Sequence, residues 1–83
     1  MKILYFAWIK KSLNISEERI NLPKDVKNVR LLVNLLSNKS QKHKAVFSKI
    51  KSMKIAINHN IGSLNTKIKK NDEVAFFPPF TGG

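Results

Sequence analysis

The feature that most constrains the fold is one amphipathic stripe in the middle of the chain, with strand-like segments on both sides of it. Apolar residues recur in this stripe at three- and four-residue spacing, at Val26, Val29, Leu32, Val33 and Leu36. The spacing predicts a helix over residues 26–37, with Asp25 as its N-cap. A chain of 83 residues without cysteine has room for one modest core and lacks a disulfide framework. One helix packed on a small sheet fits that limit.

The N-terminal segment, residues 2–9, has the composition and length of a β-strand. Alternation places Leu4, Phe6 and Trp8 on one face, and Ile3, Tyr5, Ala7 and Ile9 on the other. Both faces are apolar, and a domain this small can rarely cover both faces of a sheet. We therefore expect an exposed apolar sheet face at Leu4, Phe6 and Trp8.

The remaining elements follow from turn residues and alternation. Asn14 opens a turn into a second strand over residues 15–22, which ends at Pro23. A short helix around 43–50, a strand over 54–58, turn residues at 58–62, a turn at 71–72 and a closing strand over 73–77 come next. This order predicts an α+β fold of the β-grasp type, a small mixed sheet with one main helix packed on one face. We expect a single domain over residues 1–83, with residues 78–83 as an extended tail.

The net charge of +11, from 16 Lys and Arg against 5 Asp and Glu, is high for a domain of this size. Arginine occurs only at Arg19 and Arg30, although base recognition favours its planar guanidinium group. We therefore do not expect nucleic acid as a partner, and a small basic nucleic-acid-binding module is the alternative from another class. The densest stretch, residues 39–54, contains no acid. It is interpreted as a solvated basic surface, with steering toward an acidic partner as the alternative.

Several classes of protein are excluded or not expected. No apolar run reaches the length of a membrane span, and Lys10-Lys11 stands where a signal peptide would be cleaved. We expect a cytoplasmic protein without a membrane partner. His43 and His59 lack metal-ligand spacing and are predicted to be surface residues, so neither a metal site nor autonomous catalysis is expected.

The last residues of the sequence suit delivery of a carboxylate into another protein. Pro78 and Pro79 stop the sheet and favour an extended exit, because proline fixes φ and restricts the residue before it. Gly82 and Gly83 have no Cβ, so the backbone there can enter a channel that excludes side chains.

Three segments resemble the MoaD/ThiS family of ubiquitin-like sulfur carriers, and most of all its molybdopterin-synthase branch. The ending Phe-Phe-Pro-Pro-Phe-Thr-Gly-Gly at residues 76–83 is similar to the family's C-terminal signature. Residues 3–7 resemble its first strand, and residues 55–58 resemble its Val-Asn strand. The resemblance covers the whole length and implies a ubiquitin-like β-grasp fold.

The resemblance also implies a function. A ubiquitin-activating-like adenylyltransferase would use ATP to adenylate Gly83, and a persulfide donor would convert it to a thiocarboxylate. The sulfur would pass to cyclic pyranopterin monophosphate inside the synthase's large subunit, in a heterotetramer of two small and two large subunits. The pterin chemistry would belong to the large subunit, so this chain would be a co-substrate that binds no cofactor itself. Related alternatives are sulfur carriers for thiamine thiazole or tRNA thiolation, and a protein-conjugating modifier.

The resemblance also implies which residues contact a partner, and one of them, Phe6, lies on the apolar face that the alternation predicts. The resemblance assigns partner contacts to Phe6, Ile61 and Phe77, and to the tail residues Pro78, Pro79, Phe80 and Thr81. Gly82 and Gly83 would carry the transferable group. Aromatic residues are common anchors of protein interfaces.

Overall fold

Five strands and three α-helices make up the computed structural model, which describes residues 1–79. The elements are β1 (Lys2–Tyr5), α1 (Ala7–Leu13), β2 (Glu17–Arg19), α2 (Val29–Ser37), α3 (Gln41–Phe47), a 3₁₀ turn (Ile50–Ser52), β3 (Lys54–Ile57), β4 (Asn60–Gly62) and β5 (Glu73–Phe77). Phe80, Thr81, Gly82 and Gly83, all in the predicted tail, lie outside the described residues.

The strands form one mixed sheet in the order β2-β1-β5-β3-β4. The first and last strands, β1 and β5, run parallel at its centre, and the other neighbours are antiparallel. The inward side chains of the three central strands are buried against the helices, at Ile3, Tyr5, Ile55, Ile57, Val74 and Phe76. The fold is the ubiquitin-like β-grasp arrangement that the sequence predicts. The sheet face away from the helices, called the outer face below, is left without a covering layer among residues 1–79.

The prediction of a strand over residues 2–9 is wrong beyond Tyr5. Ala7 takes a left-handed conformation (φ 53°), which ends the extended backbone, and α1 follows. Ile9 and Leu13, four residues apart, are the buried residues of this helix. Trp8 therefore belongs to α1 and not to the outer face. Asn14 ends α1 in a left-handed turn (φ 60°), so a helix and not a simple turn joins β1 to its antiparallel partner β2.

The main helix begins three residues later than the predicted start. Asn28, not Asp25, is the N-cap, and its side-chain oxygen accepts a hydrogen bond from the Leu31 N–H. The backbone just before the helix is held extended by pairing of Asn28 with Lys67. The first helical N–H groups, of Val29 and Arg30, donate to carbonyls of the loop after β4. Tertiary pairing with that loop therefore sets the start of α2.

Other boundaries also differ from the prediction: β2 spans Glu17–Arg19 and not residues 15–22, and β3 ends at Ile57 and not at residue 58. The second helix, α3, begins at Gln41 and not at residue 43, because Ser40 caps it by accepting from the His43 N–H. The turn predicted over 58–62 is shorter, since only Asn58 and His59 have left-handed backbones and residues from Asn60 onward form β4. The closing strand over 73–77 is confirmed.

Candidate functional site

The outer face carries an apolar row that runs across four strands. Leu4 pairs with Ala75, Ala75 with Ala56, and Ala56 with Ile61, and directly paired residues point to the same side of a sheet. The two central positions are alanines, so short side chains lie in the middle of the row and longer ones at its ends. The sequence thus builds a shallow apolar depression on the side of the sheet away from the core.

Two phenylalanines complete this depression into a groove, called the outer groove below. Phe6 follows β1 and is 47% exposed, while Phe77 ends β5 and is half-buried. Both line the outer groove with Leu4, Ala56 and Ala75, and its volume is about 460 Å³. His59 and Glu73 add polar groups to its lining. The groove offers hydrophobic contact and shape, which suits protein docking more than acid–base chemistry.

The three predicted interface positions share this face but not one pocket. Phe6 and Phe77 line the outer groove, whereas Ile61 lies on β4, beside Ala56, and is 70% exposed. An isoleucine this exposed contributes nothing to the core. Trp8, which the sequence placed on the same face, instead packs between α1 and α3.

The C-terminal strand ends at the wall of the outer groove. β5 is the central strand and ends at Phe77, so the following residues leave the sheet beside the groove wall. Pro78 is buried and Pro79 is exposed. At the start of β5, the Glu73 N–H donates a hydrogen bond to the Asn58 side chain. The last strand is therefore held in register along its length.

A polar cluster on the helical side of the molecule was missed by sequence reasoning. Glu18 on β2 accepts hydrogen bonds from the Tyr5 hydroxyl (2.6 Å), the His43 ring (2.7 Å) and the Lys39 ammonium. The other ring nitrogen of His43 contacts the Ser40 hydroxyl at 2.7 Å. The prediction that His43 is a surface residue is wrong: its side chain is buried, and its ring is held there by the hydrogen bond to Glu18. His59 is exposed, as predicted.

The charges of this cluster are fixed by its geometry. Burial alone would raise the pKa of Glu18, but hydrogen bonds from Lys39, Tyr5 and His43 outweigh it and lower the pKa from 4.5 to about 2. Burial raises the pKa of Tyr5, and its hydrogen bond to the Glu18 carboxylate raises it further. The cluster therefore holds a permanent carboxylate that ties β1, β2 and α3 together.

The described part of the chain offers neither a metal centre nor a membrane span. Residues 1–79 contain no group of three or more histidine, aspartate or glutamate side chains placed to hold a metal ion. No helix within that range is long and apolar enough to cross a bilayer.

Comparison with known proteins identifies the family of the chain. The model of the ThiS family matches residues 3–83. The chain is 31% identical to the molybdopterin synthase sulfur carrier subunit of Haemophilus influenzae, over all of this chain and 99% of the relative.

Two solved structures share the fold. The crystal structure of SAMP1 from Haloferax volcanii aligns with a TM-score of 0.79 at 22% identity, covering 100% of this chain and 98% of that one. The second is a chain of the protein–protein complex of subunits 1 and 2 of the molybdopterin-converting factor from Helicobacter pylori. It aligns with a TM-score of 0.66 at 23% identity, covering 99% of this chain and 96% of that one. With the full-length match of both family model and relative, the chain belongs to the ThiS family of sulfur carriers.

Proposed function

We propose that this chain is the sulfur-carrying small subunit of a molybdopterin synthase. The observation that carries the proposal is an exposed apolar groove, lined by Phe6 and Phe77, at the end of the strand that leads into a Gly-Gly ending. Full-length similarity to a molybdopterin synthase sulfur carrier subunit supports this pathway among those of the family.

The chemistry takes place on the carboxylate of Gly83. A carboxylate is ionised at neutral pH and is a poor electrophile, so it needs activation. In the proposed sequence its oxygen attacks the α-phosphate of ATP on an adenylyltransferase, and pyrophosphate leaves. A persulfide sulfur then displaces AMP, and a thiol cleaves the resulting acyl disulfide to leave the thiocarboxylate. This chain needs no cysteine for any of these steps, in keeping with a cysteine count of zero.

Docking would use the outer groove, and delivery would use the tail. A large subunit that covers Phe6, Ile61 and Phe77 buries aromatic and aliphatic surface that the monomer leaves exposed. Pro78, Pro79, Phe80 and Thr81 would then span the distance to the active site, with Gly82 and Gly83 in its narrow end. Six residues beyond Phe77 reach about 20 Å when extended. The sulfur acceptor would be cyclic pyranopterin monophosphate, held by the large subunit in a two-plus-two heterotetramer.

The docking half of the proposal is tested by one substitution with a matched control. Phe77→Ala removes a groove wall, and we expect it to weaken binding to the large subunit by about 2 kcal/mol, roughly 30-fold in Kd. Leu31→Ala is the control, because Leu31 is 39% exposed on α2, away from the sheet. Calorimetric titration of both variants with the large subunit gives the two affinities. Equal affinities for Phe77→Ala and the unchanged chain would refute the assignment of the groove.

A further inference from the structure

A second groove lies on the opposite side of the molecule from the outer groove. It runs between α1 and α3 and is called the helical groove below. Trp8 and Ser12 line one side of it, and Lys42, Ala45 and Lys49 line the other. The Lys49 ammonium nitrogen is 5.7 Å from the centre of the Trp8 ring, within cation–π range. The docking role of the outer face leaves this groove accessible.

The lysines of the helical groove are not neutralised within the described part of the chain. No acidic residue occurs between Asp25 and Asp72 in the sequence. Glu18, the carboxylate that contacts His43 of α3, is already paired with Lys39 and His43. The salt bridges found among residues 1–79 include neither Lys42 nor Lys49. The groove thus presents uncompensated positive charge beside an indole ring.

Another lysine extends this charge along α1. Lys11 lies three residues after Trp8 on the same helix and is exposed, so the two side chains lie on neighbouring surface. The result is a strip in which Trp8 has Lys11 of α1 on one side, and Lys42 of α3 and Lys49, which follows α3, on the other. An aromatic ring between ammonium groups is the arrangement used to bind single strands, where bases stack on the ring and phosphates lie on the charges.

We propose that the helical groove binds single-stranded nucleic acid, with phosphates on Lys42 and Lys49 and one base against Trp8. Lysine neutralises phosphate as a point charge and lacks the planar fork that reads guanine, so binding would be tolerant of sequence. An acidic protein would also satisfy the lysines and contact the indole, but an aromatic ring flanked by phosphate-binding lysines is the arrangement on which bases of a single strand stack. The scarcity of arginine therefore argues against base-specific recognition, but not against binding of the backbone.

The test uses the full chain and a fluorescein-labelled polyuridine RNA of about 15 nucleotides, the upper size for one such site. Anisotropy gives the Kd at several salt concentrations. Trp8 is the only tryptophan, so its intrinsic fluorescence reports on the helical groove itself. We expect the RNA to quench Trp8 fluorescence and the affinity to fall as salt rises.

Two charge-matched variants decide whether the groove is the site. Lys42→Gln with Lys49→Gln should weaken binding about tenfold or more and reduce the salt slope by about 1.4, or about 0.7 for each lysine–phosphate pair that is removed. Lys67→Gln with Lys69→Gln removes the same charge from exposed positions between β4 and β5, and should change Kd less than about twofold. Deletion of Gly82 and Gly83 should leave RNA binding unchanged, which separates this proposal from the carrier function.

Four results would overturn the proposal. The first is an absence of RNA binding at low salt, and the second is equal weakening by the two double variants. The third is unchanged Trp8 fluorescence on RNA addition. The fourth is an equal response to a polyglutamate peptide of the same charge, which would assign the groove to acidic proteins.

Discussion

Glu18→Gln tests how the buried carboxylate supports the fold. The substitution keeps the shape of the side chain and an acceptor for Tyr5, but removes the charge that Lys39 and His43 contact. The pKa of Glu18 falls from 4.5 to about 2 on folding, and each pH unit corresponds to about 1.4 kcal/mol. The charge of Glu18 therefore stabilises the folded state by at most about 3 kcal/mol. The Glu18 side chain is only 11% exposed, but Lys39 is 38% exposed and partly screened. We therefore expect Glu18→Gln to lower the free energy of unfolding by about 2 kcal/mol at pH 7.

The stability difference between the unchanged chain and Glu18→Gln should depend on pH. A carboxylate whose pKa is lowered in the folded state stabilises it above the unfolded pKa, and this contribution disappears as pH falls. The difference between the unchanged chain and Glu18→Gln should therefore be complete above about pH 5 and shrink toward zero near pH 2. Urea unfolding followed by Trp8 fluorescence measures it. Glu17→Gln is the control, because Glu17 is exposed and should change stability by less than about 0.5 kcal/mol. A difference that is independent of pH would refute the reasoning.

Three further predictions concern single positions. Tyr5 is the only tyrosine, and its raised pKa predicts that tyrosinate absorbance stays absent in the folded protein at about pH 11; a midpoint near 10 would contradict this. Ala7 has a left-handed backbone (φ 53°), which glycine adopts with less strain than alanine. Ala7→Gly should therefore raise the free energy of unfolding by about 0.5–1 kcal/mol in urea titrations, and a decrease would contradict this. Gly62→Ala should lower the free energy of unfolding by about 1–3 kcal/mol, since the new Cβ would overlap the Ile57 Cδ1 and Thr66 Oγ1 atoms; unchanged stability would contradict this.

Two strands of the second half of the chain, β3 and β5, were predictable because their signals are local, whereas β4 was taken for part of a turn. Alternation marks residues 54–57, and the two prolines after Phe77 end the last strand. The first segment failed because its apolar residues also fit strand alternation. Ile9 and Leu13, spaced by four, were the helical signal, but Leu13 lies outside the apolar run.

The outer groove was predictable in part, and the polar cluster was not. Leu4 and Phe6 could be assigned to an exposed surface, since a small sheet has one face that helices do not cover, and Phe77 was implied by the family resemblance. His43 and Glu18 are 25 residues apart in sequence, and their contact arises only when α3 packs beside β2. The one local clue was Ser40, a favourable N-cap residue three positions before His43.

The central claim, that Gly83 carries sulfur, is tested most directly by the intact mass of the chain. The protein is incubated with ATP, an activating adenylyltransferase and a persulfide donor, beside a variant that lacks Gly83. The account predicts a mass increase equal to the replacement of one oxygen by sulfur, and none in the variant. An unchanged mass with an adenylyltransferase that is active on its own carrier would contradict the carrier function.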